Sequence, residues 1–213
     1  MRSSTRLLHS RRKEVSKATE DTIGYYDGIA KKFIADTANV EFGALQHEFV
    51  RRLPEGGRIL DLGCGSGRDF LAFLKAGFEV DAVDGSAQMV KTASELTGLP
   101  VAHALFADYE PEGLYDGIWA CSSLLHVPVA ELADVIAKYA RALVPGGIFY
   151  LSFKLGAHDG MRNGRWFTDL DEPAFRDLVA NVPELRIDRI ELTGDVRPGR
   201  TDEKWLNAWC VRV

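Results

Sequence analysis

The chain reads as an α/β protein, a doubly wound sheet of about seven strands whose last strand runs antiparallel, preceded by two helices. Three features lead there: short apolar strands alternating with helical stripes from Arg58 to Phe153, a glycine-rich turn between the first strand and its helix, and two closing strands with no helix between them. In order, the apolar spacing from Thr22 to Leu53 predicts two helices, around Tyr25–Ile34 and Phe42–Leu53, stopped by Pro54 and the Gly56-Gly57 pair. Strands follow at Arg58–Leu62, Phe78–Val83, Val101–Phe106, Tyr115–Cys121 and Gly147–Phe153, the fifth introduced by the turn Pro145-Gly146. Helices at Arg68–Ala76, Ala87–Thr97 and Pro128–Leu143 fall between them, the last with Val129, Leu132, Val135, Ile136, Tyr139 and Leu143 on one stripe. Strand-helix alternation of this length demands parallel strands with right-handed crossovers. A helix at Glu172–Val182 then precedes strands at Leu185–Thr193 and Trp205–Val213, joined by a turn-rich loop with Gly194, Pro198 and Gly199. With no crossover helix available, the last strand must turn back antiparallel.

Composition limits what such a protein can be. At 213 residues, 46% hydrophobic and 27% charged, the chain can hold a full core without disulfides or a structural metal. Its apolar runs are far shorter than the roughly 20 residues that cross a bilayer, and no apolar signal core follows Met1. The net charge of −5 is uneven: residues 1–19 carry six cations and one anion, leaving a strongly acidic body. An acidic body argues against a nucleic-acid surface. We expect residues 1–20 to form a basic, disordered tail and residues 21–213 a single domain. Cys64, Cys121 and Cys210 show no CxxC spacing, which fits a reducing cytoplasm and offers no metal site; His9, His47, His103 and His158 add no ligand spacing. Oligomeric state is open at this stage.

The chemistry concentrates at Ile59-Leu60-Asp61-Leu62-Gly63-Cys64-Gly65-Ser66-Gly67-Arg68, where a buried strand runs into glycines 63, 65 and 67 and then a helix. Glycine permits positive φ and lets a ligand approach the main chain. Arg68 stands where a GxGxxG fingerprint places its third glycine, which disfavours a nicotinamide or flavin dinucleotide. The second strand ends in Asp84 some 20 residues after the loop, placed to accept hydrogen bonds from a ribose diol. Asp81, inside the strand, is its nearest competitor.

With these pieces together, ILDLGCGSGRD (59–69) followed by AVDGSAQMV (82–90) resembles the first and second motifs of the class I S-adenosylmethionine-dependent methyltransferases, in their small-molecule, tellurite-resistance-like branch, over about residues 22–213. The resemblance implies a Rossmann-like fold with leading lid helices. It places the methionine part of S-adenosylmethionine against Gly63, Cys64, Gly65 and Gly67, the ribose on Asp84 with Gly85, Ser86 and Met89 beside it, and the adenine amine on Asp108, next to Tyr109. By the same resemblance Asp61 lies near the cofactor's amine and Tyr26 of the leading helix near the cofactor. The product would be S-adenosylhomocysteine.

Transfer of an already activated methyl needs alignment, and a base only where the acceptor holds a proton. Acceptor contacts are expected after the fourth strand, at Cys121 and Ser122, with His126 as general base or orienting group; a structural histidine ahead of the helix is the alternative. The resemblance adds Arg162, Arg165 and Trp166 after the fifth strand, where two arginines beside an indole could hold an anionic or aromatic acceptor. The chain reads CSSL where amino-methylating enzymes of DNA bases resemble one another in [DNS]PP[YFW], which disfavours a base as acceptor. The tellurite-resistance likeness brings metalloid or chalcogen acceptors into view, although arsenic chemistry would want more cysteines than this site has. The reading is therefore a cytoplasmic small-molecule methyltransferase. A cofactor-binding sensor or scaffold without catalysis is its first rival, and a nicotinamide-dependent oxidoreductase its second.

Overall fold

In a computed structural model of the chain, residues 17–37, 43–195, 200 and 202–213 are described, side chains excepted at 30–37. Helices α1 (Lys17–Thr37) and α2 (Gly43–Val50) lead, followed by β1 (Arg58–Leu62), α3 (Arg68–Lys75), β2 (Glu79–Asp84), α4 (Ala87–Thr97), β3 (Ala102–His103) and β4 (Tyr115–Ala120). A 3-10 turn (Leu124–His126) comes next, then α5 (Val129–Ala140), β5 (Leu143–Lys154), β6 (Asp159–Arg162), β7 (Arg165–Thr168), α6 (Glu172–Ala180), β8 (Leu185–Gly194) and β9 (Lys204–Arg212). Seven strands form one sheet in the order β3-β2-β1-β4-β5-β9-β8, and β9 lies antiparallel between β5 and β8. This is the predicted architecture, antiparallel last strand included.

Alternation along β1 divides the core. Leu60 and Leu62 face α5 and α6, where Leu132, Ile136, Tyr139, Phe175 and Val179 are buried. Ile59 faces the other layer with Phe49 of α2 and Phe73 of α3. There Trp119 stacks on Tyr150 with ring centroids 4.0 Å apart and 15° between planes, and Trp209 meets Tyr150 edge-on at 4.8 Å. Offset stacked and edge-to-face pairs of this kind add about 0.5–1.5 kcal/mol each beyond burial. The aromatic seam thus ties β4, β5 and β9 into one rigid wall below the site.

Parallel register aligns the carboxyl ends of the central strands: Leu62 pairs with Val83 of β2, and Asp61 with Trp119 of β4. Ser86 caps α4 by accepting the Met89 amide at 3.2 Å, and Asp171 caps α6 by accepting that of Ala174 at 2.9 Å.

Several boundaries differ from expectation. The first helix begins at Lys17, so the boundary drawn at residue 21 falls inside a helix; the tail before Lys17 lies outside the described residues. The third strand contracts from 101–106 to Ala102–His103, because the chain turns at Leu105, whose carbonyl accepts the amides of Asp108 and Tyr109. The helix expected to run to Leu143 ends at Ala140, since Leu143 already pairs with Tyr115 at the start of β5. Finally, the segment read as a lid loop at 162–168 is mostly a hairpin. β6 pairs with β7 across Asn163-Gly164, both at positive φ (54° and 79°), the backbone an Asn-Gly turn prefers.

Candidate active site

A cavity of about 610 Å³ opens at the carboxyl ends of β1, β2, β4 and β5, roofed by α1 and the β6–β7 hairpin. Open α/β sheets bind ligands at this edge.

The three loop glycines prove to have three different jobs. A Cβ on Gly63 (φ +82°) would sit 2.4 Å from the Ser123 side chain, which in turn donates to the Leu62 carbonyl at 2.6 Å. Gly63 therefore knits β1 to the segment after β4. A Cβ on Gly67 (φ +86°) would sit 2.9 Å from the Ala93 backbone, so this glycine seats α3 against α4 and does not line the cavity. Only Gly65 (φ +55°) faces open space, with nothing within 4 Å of its would-be Cβ, and it lines the cavity beside Cys64.

Asp84 ends β2 and accepts the amides of Gly65 (2.9 Å) and Ser86 (2.8 Å), fixing the loop to the strand end. Burial raises its pKa against those two hydrogen bonds, which favour the ionised form. Its competitor Asp81 is committed elsewhere, accepting from Arg58 and from the Tyr115 hydroxyl. Asp61 is 2% exposed, and its Oδ2 is buried with no hydrogen-bond partner. Burial, reinforced by the neighbouring Asp69, pushes its pKa well up. An unmatched carboxylate oxygen aimed at a cavity is a site for a cationic group.

Gly85, Ser86 and Met89 line the cavity, and Asp108 stands exposed at its rim. Tyr109 does not line it; its hydroxyl turns to Tyr115, away from the opening.

On the opposite side, α1 is locked down by side chains. Asp27 accepts the Ser86 hydroxyl (2.6 Å), and Thr22 accepts the Trp166 amide (2.9 Å). Tyr26 joins His126 at 2.8 Å from Nε2, while Arg165 donates to the Tyr26 oxygen at 3.1 Å. Because the guanidinium can only donate, the phenol passes its own proton toward His126 Nε2; the His126 Nδ1–H then donates to the Trp166 carbonyl (2.6 Å). Burial pushes the His126 pKa down to about 4, and Arg165 and Arg162 add to that effect. His126 thus lines the cavity as a neutral ring with both nitrogens engaged, an orienting group and a poor general base.

Cys121 and Ser122 also line the cavity, Ser122 in left-handed backbone (φ 55°) and donating its amide to Ser152 at 2.7 Å. Burial pushes the Cys121 thiol up to about 12, which removes it as a thiolate nucleophile. Two predicted acceptor residues lie outside the lining. Arg162 is held bidentate by Asp169 (2.7 and 2.9 Å), and the Trp166 indole donates to Asp159 and Thr168. Arg165 remains.

Sequence reasoning missed several lining groups. Asp69 sits beneath the glycine loop, accepting from Trp119, Gln46 and Arg68. Ser152, Lys154, Trp205 and Asn207 form the far wall. Their signal is the antiparallel pairing of β5 with β9, which sets Ser152 opposite Asn207 and Lys154 opposite Trp205; it is visible only once that register is known.

Residues 59–147 match a methyltransferase domain model. The 2-methyl-6-phytyl-1,4-hydroquinone methyltransferase of Synechocystis is 30% identical over 138 residues, 61% of this chain and 43% of that relative. The chain spans under half the length of the first curated relatives it matches. The Burkholderia thailandensis 1,6-didemethyltoxoflavin-N1-methyltransferase, solved with its acceptor and S-adenosylhomocysteine, superposes with a TM-score of 0.67 at 18% identity over 89% of each chain. The [4+2]-cyclase SpnF gives 0.68 at 17% identity over 89% of this chain and 94% of its own. At these identities the solved structures speak to fold alone.

Proposed function

We propose that the chain is an S-adenosylmethionine-dependent methyltransferase acting on a small molecule, a reading supported by the match of residues 59–147 to a methyltransferase domain model and by the fold shared with a solved methyltransferase. The observation that carries the reading is the meeting, in one cavity, of bare main chain at Gly65, an unmatched buried carboxylate oxygen on Asp61 and the strand-end carboxylate of Asp84. These residues fit the cofactor: Gly65 leaves room for its amino-acid end, Asp61 takes the ammonium and Asp84 the ribose diol, with Asp108 at the rim for the adenine. When bound, the cofactor supplies a methyl already activated on a sulfonium.

The chain's own part is alignment and exclusion of water. Tyr26, Thr22 and Asp27 hold α1 over the cavity, while His126 and Ser122 shape the wall toward the acceptor. With His126 neutral and both its nitrogens engaged, the acceptor's reacting atom is best served by a lone pair already free. The hydroquinone named for the Synechocystis relative supports an acceptor with an aromatic ring. Three free cysteines support a reducing, cytoplasmic setting, and no described helix is long and apolar enough to cross a membrane.

Incubation with S-adenosylmethionine carrying an isotopically labelled methyl, in a metabolite extract, tests the reading. Label appearing in a small molecule, at a rate that falls by at least about tenfold in Asp84→Ala, is expected. Cofactor binding with no label transferred would favour a sensor, scaffold or cyclase, and binding of a nicotinamide dinucleotide instead would overturn the assignment.

A further inference from the structure

Among the described residues, four arginine or lysine side chains line the cavity, and three of them lie on carboxylates: Arg68 on Asp69, and Lys154 and Arg200 on Glu203. Arg165 is the exception. No Asp or Glu side chain of the described residues pairs with it; its Nη1 donates to Tyr26 and its Nε is buried without an acceptor. Three residues earlier, Arg162 is fully met by Asp169, so the hairpin does not lack a counter-ion by necessity.

Aromatic rings surround the uncompensated guanidinium. Its carbon lies 4.4 Å from the Tyr25 ring centroid, 4.9 Å from that of Phe167 and 5.5 Å from that of Tyr26. Cation–π contacts offset part of the cost of burying the charge, but they leave the buried Nε–H without an acceptor. Arginine cannot shed its proton to escape burial. The charge must be met from inside the cavity, and the free edge of a guanidinium matches the two oxygens of a carboxylate.

We infer that Arg165 binds the methyl acceptor, and that this acceptor carries an ionised oxygen group, carboxylate or phenolate, on an aromatic body lying toward Tyr26 and Phe167. The assignment rests on the methyltransferase reading, which has already given the ammonium and ribose positions to Asp61 and Asp84.

The test is calorimetric titration of protein saturated with S-adenosylhomocysteine, using benzoate and 4-hydroxybenzoate as probes against their neutral amides. The acids should bind at least about tenfold more tightly than the amides. Arg165→Gln should weaken acid binding by about tenfold to a hundredfold, as expected for a charge-assisted hydrogen bond, and leave the amides and S-adenosylhomocysteine unchanged. Arg165→Lys, which keeps the charge but not the fork, should recover part of the loss and guards against a folding defect. Equal binding of acid and amide, or no binding of either, overturns the assignment. So does a tenfold loss of S-adenosylhomocysteine affinity in Arg165→Gln, which would give the guanidinium to the cofactor's carboxylate. Failure of the wild type to bind S-adenosylhomocysteine at all sinks the methyltransferase reading first and this assignment with it.

Discussion

Asp61 is a carboxylate placed against its own interest. Its pKa is pushed up by burial and by Asp69, so holding it ionised costs the free protein stability, a cost that grows as pH rises toward neutrality. Asp61→Asn should therefore raise the melting temperature of the free protein and weaken S-adenosylhomocysteine binding by about tenfold or more, read by scanning and titration calorimetry on the same sample. A variant that lost stability and kept its affinity would make Asp61 a scaffold residue. His126 carries the opposite sign. Its folded pKa is depressed to about 4 from 6.5, so the neutral ring's contribution is intact above 6.5 and is lost as pH falls toward 4. In urea unfolding across that window, His126→Gln should flatten the decline seen in wild type; parallel curves would show that the imidazole does not titrate with folding. Both residues were legible as candidates from their positions after β1 and β4. Their electrostatics were not, because burial and the partners Asp69 and Tyr26 come from elements far away in sequence.

The glycine loop shows how far a motif can be read along a strand-turn-helix element. Spacing marks Gly63, Gly65 and Gly67 alike, yet Gly67 lies outside the cavity lining, and of the two that line it only Gly65 has open space where a Cβ would stand. Gly67→Ala sets a Cβ against the Ala93 backbone at positive φ and should cost about 1–3 kcal/mol of stability, measured as a lower urea midpoint. Gly65→Ala should cost about 1 kcal/mol for left-handed backbone and lose most S-adenosylhomocysteine affinity instead. Reversed effects would mean that the loop presents a different face. The β6–β7 hairpin was within reach of the sequence, since Asn163-Gly164 is a strong two-residue turn signal, but flanks of only four residues, one of them interrupted by Gly160, read easily as loop. Tyr109 and Trp166 were misplaced for a related reason: proximity along the chain does not say which way a side chain turns.

The doubly wound sheet, its antiparallel last strand and the sheet edge at which the cavity opens followed from the alternation of elements, which depends on local periodicity and on the absence of a helix between β8 and β9. The far wall did not, because Ser152, Lys154, Trp205 and Asn207 meet only through β5–β9 register. α1 spans the cavity, reaching α4 through Asp27 and β7 through Thr22, so one helix roofs both the Ser86 side and the Trp166 side. A ligand that binds only the folded molecule raises its melting temperature by mass action. The central claim is that the glycine loop and two strand-end carboxylates of this molecule form one nucleoside site. Titration calorimetry of the intact chain with S-adenosylhomocysteine examines it most directly: saturable binding at a single site, abolished by Asp84→Ala in protein that remains folded, is the expected result, and no heat, or heat indifferent to Asp84, would contradict it.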